Sequence, residues 1–301
     1  MGSGDASDGS DANGSSGSSG SSDPSDPQRP RQRQAALTRS AASAYHAHVG
    51  RNAPRRSRSN MTDTKAITAH WTHVADQWID WAGRPGHDAF WKYREGLAAY
   101  LGRGAGRALE IGCGEGRVSR ELKALGYDVT ASDAVPAMLD AARRADSAHR
   151  YALADAAALP FDPASFDVVM AYNVLMDLDD MAAALREARR VLKPGGLLFV
   201  SLVHPFRDRG RFAGPQPDAP FVLEGTYFGS EHFEGVETRD GLSMHFAGWS
   251  LPLQAYMDAL ESAGFAIVSL REPLPDRADT DTLKQWSRVP LFLWIKARPL
   301  D

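Results

Sequence analysis

Nine consecutive residues, Ala108-Leu109-Glu110-Ile111-Gly112-Cys113-Gly114-Glu115-Gly116, restrict the fold more than any other part of the chain. Ala108, Leu109 and Ile111 suit a strand covered on both faces. Gly112, Gly114 and Gly116 then permit positive φ and close approach of a ligand, because no Cβ stands in the way. From Arg117 a helical pattern begins, with Val118, Leu122 and Leu125 on one side and Gly126 as its stop. A strand, a glycine turn and a helix in this order predict a nucleotide site at the carboxyl end of a parallel strand. Spaced glycines alone also fit a tight turn that binds nothing. The stretch Gly126 to Asp133 reads as a second strand ending in an acid, roughly 20 residues beyond the glycine motif. A carboxylate there can accept hydrogen bonds from both hydroxyls of a ribose. Asp133 equally suits a cap on a helix opening at Pro136, and the two roles are compatible.

At this point the chain resembles a known family. Leu109 to Gly116 is similar to motif I of the class I S-adenosylmethionine-dependent methyltransferases, in particular the type 11-like small-molecule enzymes. Glu110, an acid inside the strand, separates it from the usual dinucleotide fingerprint, which has an apolar residue there. Tyr151 to Ala156 resembles the third-strand motif of that family, whose acid reaches the adenine amino group. Leu159 to Asp162 and Ser165 to Val169 resemble the segment entering the fourth strand, and Lys193 to Gly196 the turn before the fifth. The resemblance runs in order from Arg107 to Pro205. It implies S-adenosylmethionine as cofactor, held by Glu110, Gly112, Gly114, Asp133, Ala134, Met138, Asp155, Ala156 and Asn173. It also implies an α/β, Rossmann-like fold: a seven-stranded, mostly parallel sheet with a terminal antiparallel strand, helices on both faces and a cap inserted after the fifth strand.

Composition narrows the remaining classes. A net charge of −4 argues against a general nucleic-acid or membrane-surface binder. The single cysteine, Cys113, excludes an intrachain disulfide and suits a small packing residue in the glycine loop. No apolar run approaches the ~20 residues of a membrane span, so a cytoplasmic protein is expected. Residues 1–60 are Gly/Ser/Asp-rich and then arginine-rich, too poor in apolar side chains to offset the entropy of ordering. They are expected to be an unstructured tail, with translation starting at Met61. The methyltransferase domain then covers 61–301, with N-terminal helices over 61–104 and the substrate cap over 206–250.

Trp71, Val74, Trp78 and Trp81 recur at helical spacing across Ile67 to Trp81, followed by Trp91, Tyr93, Leu97 and Tyr100. Such a stripe docks a helix on a core; the family resemblance adds that Tyr93, Trp78 and Trp81 are candidate lid residues. His70 and His73 are expected at the surface. Helices at 117–125, 136–144 and 181–192 alternate with strands near 108–111, 127–132, 150–154, 166–172 and 197–203, as a parallel sheet demands. Tyr172, Asn173 and Met176 follow the fourth strand and would face the transferable methyl group. The Asp177 to Asp180 acids are expected to open the next helix, and with no histidine at ligand spacing no metal is proposed.

His204 ends the fifth strand and is a candidate general base or pocket residue. Phe206 to Ser250 is a long, Gly- and Pro-broken segment with interspersed aromatics, expected to form a cap containing an antiparallel pair around Gly241. Tyr227 and His245 are candidate pocket residues on it, and His232 and His245 alternative bases. Ser250 is expected to cap a helix running to Ala263. Two final strands, Phe265 to Leu270 and Val289 to Lys296, complete the sheet. The expected reaction is methyl transfer to oxygen or nitrogen of a small-molecule acceptor, a carboxylate included. Two alternatives stand beside it: a nicotinamide-dependent oxidoreductase, and a non-catalytic cofactor-binding module.

Overall fold

The computed structural model describes residues 55–57 and 66–300. The tail expected over 1–60 lies outside them, apart from a three-residue strand, β1 (Arg55–Ser57), in a segment expected to be unstructured. It pairs antiparallel with a strand of the cap.

The aromatic stripe before the glycine motif forms two helices rather than one, α1 (Ala66–His73) and α2 (Ala75–Gly83), which break at Val74. Val74 is fully buried there beside Trp81 and Met244, so packing fixes the break although the sequence pattern runs through it. Helix α3 (Phe90–Leu101) follows and leads into the central sheet.

The sheet then alternates as expected: β2 (Arg107–Ile111), α4 (Arg117–Ala124), β3 (Asp128–Asp133), α5 (Pro136–Arg144), β4 (Arg150–Leu153) and β5 (Phe166–Tyr172). After a 3₁₀ turn (Leu175–Asp177) come α6 (Met181–Val191) and β6 (Leu192–Val203). Pro136 at the first turn of α5 needs no N–H donor, and Asp180 caps α6 by accepting from the Ala183 N–H at 2.8 Å.

A second 3₁₀ turn (Arg207–Arg209) opens the cap, which holds β7 (Gly210–Phe212), β8 (Phe221–Leu223), β9 (Glu231–Arg239) and β10 (Leu242–Ser250). β9 and β10 form the antiparallel pair expected around Gly241. Asp240 and Gly241 both take positive φ, +50° and +79°, which matches the twist a two-residue hairpin turn requires. The chain closes with α7 (Leu253–Ser262), β11 (Phe265–Arg271), a short α8 (Asp281–Trp286) and β12 (Phe292–Pro299). Ser250 does not cap α7: it is the last residue of β10, and Pro252 precedes the helix with no side-chain cap.

The seven strands lie in the order β11-β12-β6-β5-β2-β3-β4. β6, β5, β2, β3 and β4 are mutually parallel, and β12 inserts antiparallel between β6 and β11. Side chains alternate between two cores. Leu109, Ile111, Val169, Ala171 and Val200 pack with α6 and α7, whereas Ala108, Val129, Val168, Met170 and Phe199 pack with α3, α4 and α5. Both faces are thus covered, and the carboxyl ends of the parallel strands share one edge of the sheet.

Candidate functional site

At that edge the backbone leaves β2 through three left-handed glycines, Gly112, Gly114 and Gly116, with φ of +64°, +54° and +89°. Space is as restrictive as torsion. A Cβ on Gly112 would stand 2.4 Å from Cγ2 of Val174, and one on Gly116 would stand 2.3 Å from Oγ of Ser147. Trp78 of α2 lies across the turn, its Nε1 3.0 Å from the Cβ that Gly114 lacks. Trp78 was a candidate lid residue on the family resemblance. Trp81 is instead pinned between His87, with ring centroids 4.5 Å apart, and Phe246 of β10 at 5.8 Å. Tyr93 is no lid residue: it is buried in the core against Phe292 at 4.9 Å.

Asp133 ends β3 beside the glycine turn. Its Oδ2 accepts the Gly114 N–H at 2.8 Å and its Oδ1 the Val135 N–H at 2.9 Å. One carboxyl therefore ties the glycine turn to the residue before α5; it is not the helix cap anticipated for it, because Val135 occupies the cap position and no side chain caps the helix. Burial pushes this carboxyl up, against the pull of its backbone hydrogen bonds. Glu110 is buried beneath the loop and accepts a short hydrogen bond from the Ser119 hydroxyl of α4. Burial pushes it up to about 8, with Glu115 and Asp133 adding to the shift and Ser119 and Arg117 opposing it.

Arg117 was read only as the start of a helix. It is buried at the base of this edge, where it pairs with Asp88. Its guanidinium lies over the rings of Phe90, Trp78 and Tyr172 at 4.8, 5.0 and 6.0 Å. The pair links the loop before α3 to the first turn of α4 and places Trp78 against both.

The remaining cofactor candidates line the same edge. Ala134 is exposed next to Asp133, and Met138 is buried in a cluster with Val135, packed against by Trp71 and Trp78. Leu153 of β4 pairs with Asp133 in register and is 57% exposed, an apolar surface beside an acid. Asp155 is exposed and accepts the Ala157 N–H at 2.8 Å, and Ala156 is buried behind it. Asn173 leaves β5 at φ +50°, a conformation asparagine tolerates better than most residues, and its Oδ1 accepts from the Ser201 hydroxyl at 2.8 Å.

The acceptor-side candidates are more dispersed. Tyr172 is buried, its ring against Phe90 at 5.9 Å, and burial pushes its hydroxyl well up. Met176 is buried in the core on the α6 and α7 face. Tyr227 accepts the Leu253 N–H at 3.0 Å and so holds the start of α7. His245 lies on β10, where Nε2 meets Glu234 at 2.9 Å and the ring meets His70 edge-on at 5.1 Å. His70 is not a plain surface residue, since Nε2 contacts the His245 carbonyl at 3.0 Å. His232 packs on Trp249 at 5.3 Å.

His204 stands at the end of β6, as expected, but both ring nitrogens are taken. Nδ1 accepts the Phe206 N–H at 3.1 Å, which leaves the proton on Nε2 to donate to Glu272 at 3.0 Å. Burial pushes its pKa down. This histidine has no free lone pair to act as a base.

Does the edge fit the nucleotide-linked amino acid that the glycine motif implies? Three buried acids, Glu110, Glu115 and Asp133, converge on one loop, and Arg117 is already paired with Asp88. Glu115 already pairs with Arg120 at 3.4 Å, whereas Glu110 and Asp133 make no ion pair among the described residues, and a ligand bearing ammonium and sulfonium charges would supply countercharge to those two. The fit is good. Among the described residues no three His, Cys, Asp or Glu side chains gather as a metal would need, and no helix is long and apolar enough to cross a membrane.

Residues 109–200 match the family model described as a methyltransferase domain. The malonyl-[acyl-carrier protein] O-methyltransferase of Salmonella typhimurium is 36% identical over 139 residues, covering 46% of this chain and 53% of that protein. Its counterpart from Serratia marcescens is 41% identical over 93 residues, covering 31% and 36%. The chain thus spans about half, or less, of the length of these two curated relatives. A solved S-adenosylmethionine-dependent methyltransferase from Mesorhizobium loti superposes with a TM-score of 0.55 at 27% identity, covering 70% of this chain and 98% of that one.

Proposed function

We propose that this chain, which belongs to the class I S-adenosylmethionine-dependent methyltransferases, transfers a methyl group to oxygen or nitrogen of a small-molecule acceptor. The observation that carries the reading is the glycine turn itself: it is held by Asp133, underlain by Glu110 and covered by Trp78. In this reading Asp133 takes the ribose, Asp155 with Leu153 and Ala156 the adenine, and Gly112, Gly114 and Glu110 the amino-acid tail. Ala134, Met138 and Asn173 complete the wall.

The cofactor supplies an already activated methyl group on a sulfonium. The work left to the protein is to hold an acceptor lone pair in line with it and to exclude water. The cap strand β10 and the lid helix α2 meet through Phe246, Trp78 and Trp81, which closes the edge on the side away from the sheet. A carboxylate or a neutral amine needs no strong base, consistent with a His204 whose nitrogens are both engaged. The relatives' names specify O-methylation of a malonyl group on a carrier protein, which supports oxygen as one candidate acceptor atom.

Calorimetric titration of the full chain with S-adenosylhomocysteine, with NAD as control, tests the reading. Micromolar binding of the former and its loss in Asp133→Ala are expected. Binding of NAD in its place, or of neither, refutes it.

A further inference from the structure

Asp177 closes the 3₁₀ turn after β5. Beyond its backbone N–H, which bonds Val174, this residue makes no hydrogen bond or ion pair among the described residues. Its side chain reaches across to the cap. Oδ1 lies 2.6 Å from the Cβ that Gly248 of β10 lacks, so the glycine leaves the space that the carboxyl fills. Strand alternation puts Met244, Phe246, Gly248 and Ser250 on one face of β10. The first two are apolar and pack toward Trp81 and Trp78. The last is buried, with a hydroxyl that has no hydrogen-bond partner. One face therefore passes from an aromatic wall to a polar end holding an unpaired acid and an unpaired hydroxyl.

The two arginines of the neighbouring 3₁₀ turn have acidic partners of their own, although Nε of Arg209 has none. Arg207 pairs with Asp208 at 3.0 Å. Arg209 is fully buried and is used on Glu231 at 3.0 Å and on the carbonyls of Gly229 and Ser250 at 2.5 and 2.9 Å. Asp208 and Tyr256 of α7 lie close enough to Asp177 for their charges to act on one another. Burial and the Asp208 charge push the Asp177 carboxyl well up. A half-enclosed carboxyl beside a second acid is costly without a countercharge. Burial and Asp208 therefore favour the neutral form of this carboxyl, and a cation seated against Oδ1 would be the partner that lets it ionise.

We propose that Asp177 binds a protonated amine on the acceptor, whose apolar body lies along the partly buried ring of Phe246 of the cap. This rests on the methyltransferase reading and names its substrate class: small amines with a hydrophobic, preferably aromatic, body. Asp177 lies within the residues matched by the family model, 109–200, and Gly248 and Ser250 lie outside them.

The test uses three probes of one skeleton, phenethylamine, 2-phenylethanol and 3-phenylpropionate, titrated calorimetrically into the full chain saturated with S-adenosylhomocysteine. The amine is expected to bind at least tenfold more tightly than either analogue. Asp177→Asn should lower its affinity tenfold or more, leaving the alcohol within twofold and the S-adenosylhomocysteine affinity within twofold. Gly248→Ala displaces the carboxyl without removing it and should also weaken the amine. Equal binding of the three, preference for the carboxylate, no binding of the amine to the loaded chain, or a preference that survives Asp177→Asn overturns the proposal alone. A wild-type chain that fails to take S-adenosylhomocysteine overturns the methyltransferase reading, and this one with it.

Discussion

Replacing Asp88 with Asn should destabilise the protein by about 3 kcal/mol and loosen its hold on the cofactor. Asn keeps the acceptor oxygen that receives the Phe90 N–H at 3.1 Å, so the entry into α3 is preserved and only the charge is lost. The side chains of Asp88 and Arg117 are 12% and 8% exposed, which makes them a buried pair. Removing one partner of such a pair typically costs about 3–5 kcal/mol, because the other charge is left without compensation. Glu115 still acts on Arg117, and the ring faces of Phe90, Trp78 and Tyr172 remain, each contributing roughly 0.5–1 kcal/mol. The lower end of the range therefore applies. For a domain of this size that is a fall in Tm of roughly 6–12 °C.

Urea unfolding followed by tryptophan fluorescence measures the first effect, and calorimetry with S-adenosylhomocysteine the second. Arg117→Met should cost a similar amount. The double variant should be more stable than the sum of the single losses predicts by about 1.5 kcal/mol or more, since each single change strands a charge. A loss below about 1 kcal/mol in Asp88→Asn, or strict additivity in the double variant, would show that the pair does not brace the loop and lid.

Two further outcomes follow from the site. Glu110 is pushed up to about 8 from its ordinary carboxylate value. A folded-state value above the unfolded one means that the ligand-free protein loses stability as pH rises from about 4.5 through about 8, with no further loss from this group above that. Glu110→Gln should flatten this slope in pH-resolved urea titrations. It should also abolish the proton release that cofactor binding produces near pH 7, read from calorimetry in buffers of different ionisation enthalpy; an unchanged slope refutes the assignment. For His204, whose nitrogens are held by Phe206 and Glu272, His204→Gln should retain more than a tenth of kcat with an acceptor found by screening. A general base would cost about 10²–10⁴-fold, so a loss on that scale restores the histidine to the reaction.

The features that were legible in the sequence are those set by neighbours in the chain. The glycine turn, the span of α5 beginning at Pro136 and the Asp-Gly hairpin of the cap depend on backbone torsions that a few adjacent residues dictate. The terminal antiparallel strand β12 was expected from the resemblance to the family, but its place between β6 and β11 was not. What escaped depends on partners distant in sequence. Arg117 at a helix start looks like a solvated cation until Asp88, 29 residues earlier, buries it. His204 looks like a base until Glu272, 68 residues later, occupies it. Asp177 looks like one of a group of helix-opening acids, yet that role falls to Asp180, while Gly248 of a remote strand makes room for Asp177. The stripe of Trp71, Val74, Trp78 and Trp81 conceals a break because Val74 is as apolar as a continuous helix would require.

The placement of Trp78 bears on the order of binding. It lies across Gly114 and against Phe246 of β10, so the segments around 75–83 and 242–250, far apart in sequence, meet at the turn. If the proposed cofactor binds under Trp78, it is expected to bind before the acceptor and its product to leave last. Product inhibition by S-adenosylhomocysteine that is competitive with S-adenosylmethionine and noncompetitive with the acceptor checks this order; the reverse pattern refutes it.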